Sequence, residues 1–239
     1  MSSLKINNDE YGYIAENVSS VKERIALAAR KCGRDPEDIT LVAAVKYADA
    51  DEINYLHTAC GVNDIGENRV QQLLERYDKL DKQDLRIHFI GKLQTNKVKY
   101  IVDKVEMIHS LDSEKLAAEI DSRCASIGKR MKVLCEINSG REENKSGVMP
   151  ENAENFCLSL SKYKHIELCG FMTMAPNCEK KEDYSKFFSE TVDLVLDIWH
   201  KKLHNIERPV ISMGMSDSFE MAIASGSTAV RVGRGLFLK

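Results

Sequence analysis

The sequence predicts an α/β fold: a single (β/α)8 barrel, or TIM barrel, with an extra helix at the N-terminal end. Eight short apolar segments alternate with helix-like segments along the chain, which is typical of parallel strands. The 239 residues match the usual size of one such barrel. No Pro-, Gly- or Ser-rich linker divides the chain. We therefore expect one domain over residues 1–239, with the helix at about 10–32 and the barrel at about 39–237.

The extra helix is the first predicted element. Its apolar residues recur at spacings of three and four, as they do on one face of an amphipathic helix. These residues are Ile14, Val18, Val21, Ile25 and Ala28. A glycine, Gly33, and the Asp35-Pro36 turn then end the helix before the first strand.

The alternating elements follow in order. Strands are predicted at residues 41–45, 62–66, 87–90, 105–109, 131–137, 166–172, 209–211 and 228–232. Helices are predicted at 49–60, 70–77, 95–101, from 113 onwards, at 150–160, after the sixth strand and at 219–224. Asp49 and Glu52 form a capping-box pattern, Pro150 suits a first helical turn, and Ile127 is expected on an inward face. Eight strand–helix units favour a closed barrel, with a doubly wound open sheet as the alternative.

Composition excludes several classes of function. The net charge is −3 with Lys and Arg dispersed, so we expect no nucleic acid or membrane surface as a partner. No apolar run approaches the roughly 20 residues of a membrane span, and the first ten residues lack the apolar core of a signal peptide. The seven cysteines include no C-x-x-C pair, and no cluster of metal-ligating residues is apparent. We expect a cytoplasmic protein without a metal.

Two loops near the C-terminal end of the chain are candidates for holding a phosphate. The loop after the seventh strand contains Ser212 to Ser216, and the loop after the eighth contains Gly233 to Gly235. In TIM barrels these two loops often bind phosphate, since glycine allows backbone N–H groups to approach an anion and serine adds a donor. The alternative is that each loop is an ordinary turn.

The first strand ends on a lysine. In a barrel, Lys46 would share a rim with the two candidate phosphate loops. An amine nucleophile facing a phosphate cradle is what pyridoxal 5'-phosphate (PLP) requires, because PLP is an aldehyde that carries a phosphate. Arg231, on the eighth strand, would keep a pyridine nitrogen unprotonated and so weaken the ring as an electron sink. For Lys46, the alternative is a side chain whose amine stays in water. For Arg231, the alternative is an ordinary salt bridge at the barrel mouth.

Several longer motifs resemble one family. They read AVK at 44–46, GENRVQ at 66–71, HFIGKLQTNK at 88–97, IHSLDS at 108–113, NKSG at 144–147, GFMTMAP at 170–176, SMGMSD at 212–217 and GSTAVRVG at 226–233. Together they closely resemble the YggS/PROSC family of pyridoxal phosphate homeostasis proteins, whose barrel is similar to the N-terminal domain of alanine racemase. The resemblance extends from about residue 18 to residue 237.

The resemblance implies PLP as the cofactor and assigns the residues that bind it. Lys46 matches the lysine that holds PLP as an imine, and Arg231 matches the arginine near the pyridine nitrogen. The other implied PLP-binding residues are Asn68, His88, Ser212, Met213, Ser216, Gly233 and Arg234. Lys145 matches a loop lysine that could accept PLP as a secondary site, with a solvated loop charge as the alternative. His88 has a structural role as its alternative.

This sequence also departs from the family pattern. Arg234 stands where the family usually has Thr or Ser, so a hydroxyl donor to the phosphate is missing. Leu238 replaces a usual glycine, and the acidic pair after Met-Ser is reduced to Asp217-Ser218. The Arg234 guanidinium either pairs with the phosphate or points to solvent and leaves only the backbone amide, so this difference bears directly on phosphate affinity.

Three functions follow from these residues. The first, favoured by the resemblance, is a PLP carrier or buffer without substrate turnover, with apo PLP-dependent enzymes as partners. The second is an amino-acid racemase, although in alanine racemase the second base is a tyrosine from a C-terminal β domain. The third is a lysine Schiff-base aldolase acting on sugar phosphates. We expect a monomer, because the predicted barrel leaves no obvious apolar stripe over.

Overall fold

Of the expected domain at 1–239, the computed structural model describes residues 8–176, 181–201 and 208–238. The other residues lie outside that description. The strands are β1 (Thr40–Ala44), β2 (Asp64–Glu67), β3 (Arg86–Phe89), β4 (Met107–Leu111), β5 (Met131–Ile137), β6 (Ile166–Thr173), β7 (Val210–Ser212) and β8 (Ala229–Val232). The helices are α1 (Asn8–Lys31), α2 (Ala50–Thr58), α3 (Val70–Arg76), α4 (Glu114–Ser126), α5 (Pro150–Ser159), α6 (Lys181–His200), α7 (Phe219–Ala224) and α8 (Arg234–Phe237).

The eight strands form a closed barrel in chain order, and every neighbouring pair is parallel. The last strand returns to the first, with Ala43 of β1 opposite Val232 of β8. The predicted (β/α)8 barrel with an extra N-terminal helix is therefore confirmed, and the open sheet is excluded. Closure places the C-terminal ends of β1, β7 and β8 side by side on one rim.

Local sequence signals explain where several helices begin. The Asp49 side chain accepts hydrogen bonds from the backbone N–H groups of residues 51 and 52, and the Glu52 side chain accepts one from the backbone N–H of Asp49, as the capping box predicts. The Ser113 side chain caps α4 through the backbone N–H of Leu116. Pro150 occupies the first turn of α5, where its missing N–H costs no helical hydrogen bond.

The hydrophobic core lies mainly between the barrel and its helices. Alternate strand residues such as Ala43, Ile65 and Val232 face outwards into this layer, as the period of a β-strand requires. A much smaller apolar cluster of Met107, Leu134, Cys169 and Met172 is separate from it. Several inward positions nearer the C-terminal rim carry polar side chains instead, and these make up the candidate site.

Three sequence predictions need correction. Ile127 is 48% exposed, because α4 ends at Ser126 and the chain turns away before that side chain can pack. The second strand begins at Asp64 rather than at residue 62. A short helix, α8, follows β8 where no element was predicted.

Candidate functional site

Lys46 lies in the turn after β1, at the C-terminal rim of the barrel. Its side chain is exposed, and Nζ lies 4.6 Å from the centre of the Tyr47 ring. Arg76 of α3 fixes the main chain on both sides of the lysine, since its NH1 group donates to the carbonyls of Val45 (3.1 Å) and Ala48 (2.6 Å). The amine is therefore carried on a fixed turn and is accessible to a ligand.

Arg76 is itself held by a buried carboxylate. Its Nε and NH2 groups donate to the two oxygens of Glu67, at 2.7 and 2.6 Å. Glu67 is completely buried; burial raises its pKa, and the Arg76 charge opposes that shift. A bidentate pair of this kind fixes the guanidinium plane, so the contacts of Arg76 with the lysine turn have a defined geometry.

The loop after β8 packs directly against the strand that leads to Lys46. A Cβ atom added to Gly233 would lie 2.9 Å from the carbonyl oxygen of Ala44 and 3.3 Å from its Cβ. Only glycine permits this close approach of the two backbones. The candidate phosphate loop and the candidate nucleophile are thus neighbours across the closing seam of the barrel.

The two serines of the β7 loop have different surroundings. Ser212 is completely buried, and its hydroxyl lies 2.7 Å from Arg231 NH1 and 3.2 Å from His109 Nδ1. Ser216 is partly exposed, and its hydroxyl accepts a long hydrogen bond (3.4 Å) from the backbone N–H of Gly235. Ser216 therefore lies beside the β8 loop, whereas Ser212 faces the barrel interior.

Arg231 is buried, and its guanidinium is anchored at three points. It donates to the Ser212 hydroxyl, to the Ser212 carbonyl (2.8 Å) and to the Thr173 carbonyl (2.9 Å). Burial lowers the pKa of Arg231 to about 10, and the Glu136 carboxylate opposes the shift, so the side chain is a cation at neutral pH. The arrangement provides a fixed positive donor inside the rim.

His88 belongs to a buried polar chain below the rim. Its Nε2 lies 2.9 Å from Asp64 Oδ1, and its Nδ1 lies 3.0 Å from His109 Nε2. Burial lowers the pKa of His109 well below its usual value, and electrostatic interactions with its neighbours His88 and Arg231 act in the same direction. Sequence reasoning missed Asp64 and His109. The only signal was that both are polar residues on strands, and their partners depend on strand register.

Asn68 follows β2 and carries a buried side-chain oxygen that has no hydrogen-bond partner among the described residues. The backbone carbonyl oxygen of Asn68 lies close to Gly91: a Cβ atom added to Gly91 would be 2.1 Å from that oxygen. Buried polar atoms nearly always have a partner, so the side-chain amide oxygen of Asn68 has hydrogen-bonding capacity left for a donor at the rim. This oxygen is consistent with a bound molecule that offers a donor.

Met213 and Arg234 have contrasting surroundings. The Met213 side chain is completely buried in the main core. The Arg234 guanidinium is 61% exposed and pairs with Asp217. Arg234 can therefore contribute a backbone N–H near the rim while its charge is directed to a surface carboxylate.

A cavity of about 350 Å³ lies at the same end of the barrel, between the loops after β5, β6 and β7. Glu136, Lys145 and Met215 are among the residues that line it. Burial and the Asp112 carboxylate raise the pKa of Glu136 to about 7, while Arg231 and Lys92 oppose the shift. The cavity thus combines an exposed lysine with an acid that titrates near neutral pH.

Two classes of feature are absent from the described part of the chain. Over residues 8–176, 181–201 and 208–238, no group of three or more His, Cys, Asp or Glu side chains could hold a metal ion. In the same ranges, no helix has both the length and the apolar character needed to cross a membrane.

The family model described as the alanine racemase N-terminal domain matches residues 17–239. The chain belongs to this family. It is 40% identical over 222 residues to the pyridoxal phosphate homeostasis protein of Aquifex aeolicus, covering 93% of this chain and 96% of that protein. The family resemblance predicted from the motifs is therefore confirmed.

Solved structures agree with this membership. PipY of Synechococcus elongatus, determined with PLP bound, matches with a TM-score of 0.81 and 28% identity over 94% of this chain and 99% of that one. Alanine racemase from Clostridium difficile matches with a TM-score of 0.71 and 18% identity, over 93% of this chain and 56% of that one. The racemase comparison supports the fold alone.

Proposed function

We propose that this protein binds PLP through an imine with Lys46 and acts in PLP homeostasis, as a carrier or buffer that turns over no substrate. The contact between Gly233 and Ala44 is the observation that carries the proposal, because it places the phosphate loop beside the lysine turn. An amine and a phosphate site at this separation suit an aldehyde that carries a phosphate. The names of the relatives support the same reading.

The surrounding residues would orient the cofactor. We assign the phosphate to the backbone N–H groups of Gly233 and Arg234 and to the Ser216 hydroxyl, which lies at the β8 loop. Arg231 would donate to the pyridine nitrogen, and the unpaired Asn68 oxygen would accept a hydrogen bond from the cofactor. Ser212 and His88 would act from beneath the ring through Arg231.

Bound PLP supplies a reactive aldehyde and an electron-withdrawing ring. The chain's own residues favour storage over catalysis. Arg231 is a cation that can only donate, so it would keep the pyridine nitrogen of bound PLP unprotonated and make the ring a weaker electron sink. Lys46 and Tyr47 are exposed, so in the described chain they leave the imine position open to water, which disfavours carbanion chemistry. The alternative functions are an amino-acid racemase and a Schiff-base aldolase.

The test is an absorption spectrum of the protein with added PLP, followed by borohydride reduction and peptide mapping. We expect a yellow imine band and a reduced adduct on Lys46, both lost in Lys46→Ala. Lys115→Ala is the control, because Lys115 is an exposed lysine on α4 that is not assigned to the site. Absence of a band in the unaltered protein would overturn the proposal and favour the aldolase.

Further assays separate the remaining alternatives. We expect an apo PLP-dependent enzyme to regain activity when mixed with the loaded protein, and no racemisation of amino acids by the loaded protein itself. Measurable racemase turnover that depends on Lys46 would overturn the proposed lack of catalysis. We also propose a cytoplasmic, monomeric protein consisting of one domain; a molar mass near 27.0 kDa by light scattering would support the monomer.

A further inference from the structure

Five side chains form one continuous line of hydrogen bonds through the barrel interior. Arg231 NH1 lies 2.7 Å from Ser212 Oγ, which lies 3.2 Å from His109 Nδ1. His109 Nε2 lies 3.0 Å from His88 Nδ1, and His88 Nε2 lies 2.9 Å from Asp64 Oδ1. All five residues are buried.

The two ends of this line restrict the direction of the hydrogen bonds in it. Arg231 has only donors, so Ser212 Oγ accepts from it and has its own hydrogen to give to His109. At the other end, hydrogen bonds from His88 and Arg86 outweigh the effect of burial and lower the pKa of Asp64 to about 2. Asp64 is therefore a carboxylate and can only accept.

A single arrangement of hydrogens satisfies both ends with neutral histidines. His109 accepts at Nδ1 and donates from Nε2; His88 then accepts at Nδ1 and donates from Nε2 to Asp64. The opposite direction requires a doubly protonated His88, because a neutral His88 would then present its Nε2 lone pair to the Asp64 carboxylate. That repulsion would occur at 2.9 Å in a buried site.

We propose that Asp64, His88 and His109 are positioning residues that orient the Ser212 hydroxyl towards His109 and thereby hold Arg231 in place beneath the cofactor. Arg86 completes the set from the opposite end of the barrel: it donates to both Asp64 oxygens, at 2.7 and 2.6 Å, and is half-exposed. The line of hydrogen bonds thus extends from a solvated arginine, Arg86, to the buried Arg231, which we assign to the pyridine nitrogen of PLP.

The first test needs no cofactor. Nitrogen NMR of the apoprotein at neutral pH, with couplings measured across the N–H···N hydrogen bond, reports which ring nitrogen carries each hydrogen. We expect both histidines to carry their hydrogen on Nε2, with a coupling from His109 Nε2 to His88 Nδ1. A hydrogen on Nδ1 of either ring, or two hydrogens on His88, would overturn the proposed direction.

The second test measures PLP binding and therefore rests on the proposed function. His109→Asn keeps an acceptor near the Nδ1 position, whereas His109→Leu removes it. We expect the Leu variant to bind PLP about ten-fold more weakly with a shifted imine absorption, because Ser212 loses its acceptor. We expect the Asn variant to stay within about three-fold of the unaltered protein.

The control is His57→Gln, since His57 is also buried but lies on α2 and binds the Gln83 carbonyl. It should bind PLP as the unaltered protein does. Equal losses for Asn and Leu at position 109, or no loss for Leu, would overturn a positioning role. If the unaltered protein forms no imine at all, the proposed function fails. The apoprotein NMR still decides the direction of the hydrogen bonds in the line.

Discussion

Arg76 holds the turn that carries Lys46, although the two residues lie on different elements. Its NH1 group donates to the carbonyls immediately before and two residues after the lysine, at 3.1 and 2.6 Å. Gln72, from the same helix, donates to the carbonyl of Lys46 itself at 3.3 Å. The position of the reactive amine is therefore set by α3 as well as by the strand that precedes it.

Arg76→Met should destabilise the protein by about 3–5 kcal/mol, because it leaves the Glu67 carboxylate buried without its partner. Chemical denaturation measures the loss. The control is Arg123→Met, which removes an exposed pair with Glu119 on α4 and should cost less than about 0.5 kcal/mol. Adding Glu67→Gln to Arg76→Met should recover part of the loss; no recovery would contradict the buried-charge explanation.

Gly233→Ala should weaken PLP binding about ten-fold or more, because the added Cβ would lie 2.9 Å from the Ala44 carbonyl oxygen and push the β8 loop away from the lysine turn. Arg234→Ala should change the dissociation constant less than about three-fold, since its side chain pairs with Asp217 at the surface. Titration by absorbance measures both. A larger loss for Arg234→Ala than for Gly233→Ala would show that the guanidinium binds the phosphate.

The two serines should separate stability from binding. Ser212→Ala should lower the free energy of unfolding by about 1–3 kcal/mol, because it removes a partner from both Arg231 and His109 in a buried site. Ser216→Ala should leave unfolding nearly unchanged and weaken PLP binding by a few-fold. Thermal melting of the apoproteins and PLP titration measure the two effects. The reverse pattern would exchange the roles of the serines.

Acid should weaken the fold through Asp64. The folded pKa of this carboxylate is about 2, below its ordinary value of 3.8, so its stabilisation is complete above about pH 4 and is lost as the pH falls towards 2. Asp64→Asn should therefore be destabilised at pH 6 and approach the unaltered protein at low pH. Urea unfolding at several pH values measures this; a constant difference would contradict it.

Glu136 should have the opposite effect, because its folded pKa is raised to about 7 from 4.5. The unaltered protein should lose stability as the pH rises between those two values, since the buried acid must then ionise. Glu136→Gln should be more stable than the unaltered protein at pH 8, by about 1–3 kcal/mol, and similar to it at pH 4.5. Equal stabilities at pH 8 would contradict the raised pKa.

Much of the fold was predictable because its signals are local. The fifth strand was predicted at 131–137 and is found at Met131–Ile137, and the capping box at Asp49 forms as expected. The roles of Ser212 and Ser216 could not be separated in the sequence, since both are serines in one loop. Their difference depends on His109, whose position is set by the register of a distant strand. The hydrogen bonds from Arg76 to the lysine turn were missed because their acceptors are backbone carbonyls.

The seam between β1 and β8 joins segments from near the two ends of the chain. A nascent polypeptide therefore contains the reactive lysine long before it contains the glycine loop that would hold the phosphate. The free amine has no partner loop until residues 233–235 have been synthesised. Capture of the aldehyde at this site should begin only after the last strand pairs with the first, so cofactor loading would report on completed folding of each newly made molecule.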